Sequence, residues 1–94
     1  MSRLTESARG QQCTVRLESI CNHNPETVVL AHLNGGGMGL KKHDLQGAFC
    51  CSSCHDEIDR RTRITDRAYA ELAHRQGVER TQEYWLKMEL IKIV

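Results

Sequence analysis

Four aromatic residues in a chain of 94 leave little bulk with which to fill an interior. The hydrophobic fraction is 39%, and much of that is alanine and cysteine. A core this thin needs a staple, either disulfides or a metal ion, before residues 1–94 can fold as a single domain. Long apolar runs are missing too. No stretch approaches the roughly 20 apolar residues of a membrane span, and Met1 to Arg9 lacks the apolar core of a signal peptide. These absences predict a protein of a reducing cytosol with no membrane partner. There is also no strong charge of one sign: the net charge is +1, so no global field announces a nucleic-acid partner. No internal repeat is present, and low complexity is confined to one loop, Asn34 to Gly39. That loop lacks the Gly-Lys-Ser/Thr ending and the following helix of a phosphate-binding loop.

Cysteine, by contrast, is abundant, with five in the chain. In a reducing compartment, closely spaced cysteines read as metal ligands more readily than as disulfides, and an odd count cannot pair completely. Structural zinc takes four tetrahedral ligands, commonly thiolates supplied as local pairs. Cys51-Ser-Ser-Cys54 is one tight pair. Cys13 and Cys21, with seven residues between them, suit the two ends of a short hairpin and complete the set. Cys50 is read as a small buried hydrophobe rather than a ligand, because neighbours in an extended segment point in opposite directions. The competing choice of Cys50 with Cys54 has a less common spacing.

Around these cysteines the pattern predicts an α+β chain. A short helix spans Leu4 to Arg9 and stops at Gly10. Thr14 to Leu17 alternates as a short strand, Asn22 to Pro25 carries turn chemistry, and Val28 to Leu33 is the strongest strand. Leu45 to Phe49 returns as a second strand. Helices are expected from Ser52 or Ser53 to about Arg61, from Thr65 or Asp66 to about Gln76 with a stop at Gly77, and from Arg80 to Lys92. In the last of these, Tyr84, Met88 and Ile91 recur at helical spacing beside Trp85, a core stripe. The apolar end, Leu90 to Val94, packs on this core or on a second copy. Charge is local rather than global: Lys41-Lys42-His43 is one basic cluster, and Arg60, Arg61, Arg63 and Arg67 are another. The plain interpretation of both is solvated surface.

Taken in order, a cysteine pair, a strand ending Leu30-Ala31-His32, a glycine-rich loop, Asp44-Leu45 and Cys51-Ser-Ser-Cys54-His55 resemble the zinc-containing HNH nucleases of the ββα-metal finger class. More closely, the chain resembles the lambdoid-prophage YbcO family of candidate nucleases. That likeness runs nearly end to end through Ala8-Arg9-Gly10, Asn24-Pro25-Glu26-Thr27 and Cys54-His-Asp-Glu-Ile-Asp-Arg-Arg61. It implies a small zinc-stabilised HNH or treble-clef-like ββα finger with a short N-terminal helix and additional C-terminal helices. It also implies a metal-dependent endonuclease acting on DNA phosphodiesters in a bacterial cytosol. His32 matches the general base, and a neutral imidazole can take a proton from water within hydrogen-bond reach. His55 matches a ligand of a second divalent ion such as Mg²⁺ or Mn²⁺, with Asp59 one helical turn on. Arg60, Arg61 and Arg63 would contact phosphates. Two positions depart from the pattern. Ala31 stands where a further ligand is common, and Asp44 stands where asparagine is usual, able to orient the His32 ring. His23, His43 and His74 match nothing and read as surface, and Asp56 and Glu57 read as partners of the helix dipole. Ala31 favours an alternative, a non-catalytic zinc module that binds nucleic acid or a recombination protein. A redox-sensing zinc switch is a third reading, which no exposed low-pKa cysteine supports.

Overall fold

The computed structural model describes residues 3–33 and 43–93; the expected glycine-rich loop and the Lys41-Lys42 pair lie outside them. Among the described residues there are three α-helices and one two-stranded antiparallel sheet. Helix α1 spans Arg3–Ser7, strand β1 Val29–His32, strand β2 Gly47–Cys50, helix α2 Ser52–Ile58 and helix α3 Arg67–Lys87. Short 3₁₀ turns at Pro25–Thr27 and Asp44–Gln46 lead into the two strands. The register pairs Val29 with Cys50 and His32 with Gly47, so β2 runs from the His32 end of the hairpin toward the second cysteine pair. This is a small α+β chain in the order β, β, α, with a long helix after it.

The few aromatics are concentrated. Phe49 meets Tyr84 edge-on at 5.5 Å and Trp85 at 6.0 Å, and Phe49 and Trp85 are among the largest fully buried side chains. Edge-to-face pairs are favoured by the ring quadrupoles, so three of the four aromatics act as one packing unit between β2 and α3. The Trp85 indole N–H donates to Ser7 Oγ at 2.8 Å, which ties α1 to α3. The C-terminal stretch turns back on this core: Leu90 and Ile91 are partly buried against it, while Ile93 is exposed. Among the described residues no helix is long and apolar enough to cross a membrane.

Several expected boundaries are corrected. Thr14 to Leu17 is irregular rather than a strand, because Arg16 takes a left-handed conformation (φ 53°) that interrupts any extended run. One strand-like bond survives there, from Thr14 N–H to the Phe49 carbonyl at 2.8 Å. The second strand starts later than expected, since Asp44–Gln46 forms a 3₁₀ turn before it. Helix α2 ends at Ile58, short of Arg61, and Arg60 (φ 62°) completes the stop. The two expected C-terminal helices are one, α3, with Gly77 inside it. A Cβ on Gly77 would lie 2.9 Å from Val15 Cγ2 and 3.1 Å from Ala48 Cβ, so the glycine permits close helix–sheet approach rather than ending a helix.

Candidate metal centre and a histidine–carboxylate pair

The sulfurs of Cys13, Cys21, Cys51 and Cys54 all lie within 4.8 Å of one another. A tetrahedral ion with about 2.3 Å arms to thiolate has sulfur–sulfur edges of about 3.8 Å. The Cys51–Cys21 separation is 3.8 Å. Donor chemistry and spacing therefore fit an ion such as zinc, and among the described residues this is the one group of three or more such donors gathered together.

Local structure explains the convergence. Cys51 is the N-cap of α2, and its sulfur accepts from Cys54 N–H at 3.4 Å. Cys13 does the same three residues along, accepting from Arg16 N–H at 3.5 Å, and the left-handed Arg16 aims that N–H. Each N–H···S bond stabilises negative sulfur. Cys21 is stitched to α2 by its neighbour: Asn22 Nδ2 donates to Ser52 Oγ at 3.0 Å and Ser53 Oγ at 3.2 Å. The sequence identified Asn22 only as a turn former.

Protons compete for these sulfurs. Hydrogen bonds from Cys50 and then Cys54 hold Cys13 well below the usual thiol range, as a thiolate. Burial is the main cause pushing Cys21 up to about 11. Cys54 is also raised, chiefly by its hydrogen bond to Cys13. A bound cation must therefore displace protons from this site, which couples its affinity to pH. Cys50 is completely buried and outside the four-sulfur group, as expected for a small hydrophobe. Its thiol nevertheless faces the cluster rather than away from it, hydrogen-bonding Cys13 and Cys54, and those bonds together with burial keep it protonated.

The remaining predicted residues form two separate pairs. His32 Nε2 lies 2.6 Å from Asp44 Oδ1, with both side chains about one-third exposed. His55 Nε2 lies 3.5 Å from Asp59 Oδ2 across one turn at the end of α2. His32 is opposite Gly47, at the end of the hairpin away from Cys51, whereas α2 starts beyond Cys50. Ala31 is buried, and its carbonyl accepts from His74 Nε2 at 2.8 Å. His74 is thus a buried structural residue, not the surface histidine expected. His23 and His43 are exposed.

The three arginines differ. Arg60 is partly buried, donating to the Thr65 carbonyl at 3.2 Å and lying 3.7 Å from Glu57. Arg61 and Arg63 are exposed, and Arg61 is 3.5 Å from Asp56. Glu57, read as a dipole partner, is fully buried and accepts from Thr62 Oγ1, Ile64 N–H, and Thr65 N–H and Oγ1 at 2.6 to 3.2 Å. Two threonines just beyond a helix that ends on a carboxylate were the available signal.

Comparison with known proteins identifies the family. Residues 2–90 match the family model described as "Putative nuclease YbcO". A protein of that name from Escherichia coli K12 is 48% identical over 95 aligned positions, covering 98% of this chain and 99% of the relative. Its namesake from Enterobacteria phage 82 has the same figures. A solved structure titled "Structure of a putative bacteriophage protein from Escherichia coli str. K-12 substr. MG1655" superposes with a TM-score of 0.81 at 48% identity, over 90% of this chain and 98% of that one. The chain belongs to the family described as "Putative nuclease YbcO".

Proposed function

We propose that this protein is a small metal-dependent endonuclease of HNH type that hydrolyses DNA phosphodiesters in the cytosol of a bacterial host. The observation that carries the proposal is the 2.6 Å His32–Asp44 pair at the end of the hairpin. A carboxylate on Nε2 fixes the imidazole tautomer with the proton between them, leaving Nδ1 as the nitrogen with a lone pair. That nitrogen takes a proton from water as the water oxygen attacks phosphorus and the phosphodiester bond breaks. His55 and Asp59 would hold a divalent ion such as Mg²⁺ or Mn²⁺, whose charge stabilises the phosphate and the leaving oxygen. Zinc on Cys13, Cys21, Cys51 and Cys54 is structural: it joins the segment before the hairpin to the helix after it. Arg60, Arg61 and Arg63 form the phosphate-contacting side, with Arg60 bracing the turn that displays the other two.

The test is nicking of plasmid DNA in Mg²⁺ or Mn²⁺ by the wild type and by a His32→Ala variant shown to retain one zinc. Removing a general base lowers the rate by about 10²–10⁴-fold. Equal nicking by both proteins, or none by the wild type with any divalent ion, overturns the catalytic role. The buried Ala31 favours a second reading, a non-catalytic zinc module on nucleic acid or a recombination protein. Salt-dependent DNA binding without cleavage selects that reading.

A further inference from the structure

Six residues after α2 form an irregular turn that is nonetheless tightly bonded. Arg61 and Thr62 N–H both donate to the Asp56 carbonyl, at 2.9 and 3.3 Å, and Arg60 N–H donates to the Glu57 carbonyl at 3.1 Å. The buried Glu57 carboxylate supplies the other half of the frame. Oε1 accepts from Thr62 Oγ1 and Ile64 N–H, and Oε2 accepts from Thr65 N–H and Oγ1. A carboxylate offers about four lone-pair positions, and here all four meet donors from one turn. Such a frame exceeds what a surface loop needs to connect two helices. Its outward side chains are unusual as well. Arg61 and Arg63 are exposed, and between Arg63 and the clamped Thr65 stands Ile64, an aliphatic side chain 76% exposed on a backbone that Glu57 holds.

We infer that Glu57 is a positioning residue for nucleic-acid contact: it freezes the 60–65 turn so that Arg61, Arg63 and Ile64 meet one stretch of a DNA duplex as a preformed unit. The chemistry matches that partner. Exposed guanidiniums suit phosphates, and an exposed aliphatic residue beside a basic one suits the sugar and base edges of a groove. The Arg61–Asp56 pair is exposed and weak, so it yields readily to a phosphate. Because the turn is ordered beforehand, binding does not bear the entropy of ordering it. This inference rests on the nucleic-acid reading above, without requiring that the protein cleave.

The experiment compares wild type with Glu57→Gln, which keeps the shape but replaces one oxygen by a donor facing other donors. Three measurements are made: zinc content, amide exchange at Ile64 and Thr65, and affinity for a short labelled DNA duplex across a salt series. At about 0.15 M salt, removing one arginine–phosphate interaction weakens binding roughly fivefold and flattens the salt dependence by about one counterion. The expected result is retained zinc, faster exchange at both amides, and affinity down by about fivefold or more. Destabilisation alone could weaken binding, so the same substitution is repeated in an Arg61→Ala/Arg63→Ala/Ile64→Ala background. There Glu57→Gln should have no further effect, because the groups it positions are gone. An equal loss in both backgrounds, or unchanged affinity in the wild-type background, overturns the inference. If Glu57→Gln does not fold, Thr65→Val removes one donor from the frame and is read the same way. A wild type that binds no duplex overturns both the inference and the nucleic-acid reading. A wild type that binds while Glu57→Gln binds equally well overturns the inference alone.

Discussion

Buried ionisable groups reveal themselves through proton linkage. Hydrogen bonds to Glu57, first from Thr62 and then from the Thr65 hydroxyl and N–H, lower its pKa to about 2. An unfolded glutamate titrates near 4.3. The folded value is the lower one, so the carboxylate's contribution to stability is fully present above about pH 4.3 and is lost as pH falls through about 2. The melting-temperature gap between wild type and Glu57→Gln should therefore stay constant from pH 8 to about pH 5, then narrow in stronger acid. Protonation of the metal-binding thiols erodes both proteins alike and does not mimic the pattern. A gap that already closes between pH 8 and pH 6 assigns the linkage to another group. Glu57 also illustrates what single-residue reasoning can and cannot read. Cysteine spacing identified the four thiols, because zinc ligation imposes a number and a spacing on the chain. Glu57 and His74 escaped because each is satisfied by groups fixed only by the fold: a turn seven residues on, and the carbonyl of Ala31 on another element. Even Cys50, correctly read as buried, interacts with Cys13 and Cys54 of the cluster, which alternation along the strand did not announce.

Helix α3 carries the corresponding lesson at the level of elements. Gly77 is a stop signal when read locally, and the chain ignores it. The glycine lies where α3 crosses Val15 and Ala48, and its missing Cβ allows the helix to approach them closely. Two effects of Gly77→Ala therefore oppose each other. Alanine is favoured in a helix by about 1 kcal/mol. Overpacking a filled interior costs about 1–3 kcal/mol. One of the obstructing atoms is Val15 Cα, at 3.1 Å, which cannot swing aside like a side-chain tip. Packing should win, and Gly77→Ala should destabilise by about 1 kcal/mol, or roughly 4–8 °C in Tm for a domain of this size. A higher Tm would mean that the helix yields at this crossing. Hairpin and α2 were legible because short apolar runs and acidic residues near a helix start are local signals. The expected strand from Thr14 to Leu17 was lost and α2 was shortened because Arg16 and Arg60 adopt left-handed conformations that no local preference announces.

Across the whole molecule, the four sulfurs add a bridge between parts of the chain that otherwise meet through the Asn22 and Thr14 hydrogen bonds and the packing of Val15. Cys13 and Cys21 belong to an irregular segment, while Cys51 and Cys54 open α2. Among the described residues the sheet has two strands, a size that does not hold together alone in water, and much of the order between residues 10 and 28 lies in turns. A domain of this length has about 5–14 kcal/mol of net stability. Structural zinc sites bind with about 10–16 kcal/mol of apparent free energy near neutral pH. If zinc fills the site, its binding energy is as large as the entire stability, and the metal-free chain should be unfolded or loosely packed. A chelator strong enough to remove zinc should then abolish the near-ultraviolet dichroism of Trp85 and the cooperative melt. Adding zinc back under reducing conditions should restore both. Refolding on zinc should release protons, since a thiol gives up its proton to ligate the metal, and apparent zinc affinity should therefore rise with pH. A cooperative melt that survives complete zinc removal would show that the aromatic cluster around Phe49 suffices, making the four thiolates a passenger on the fold rather than its organiser.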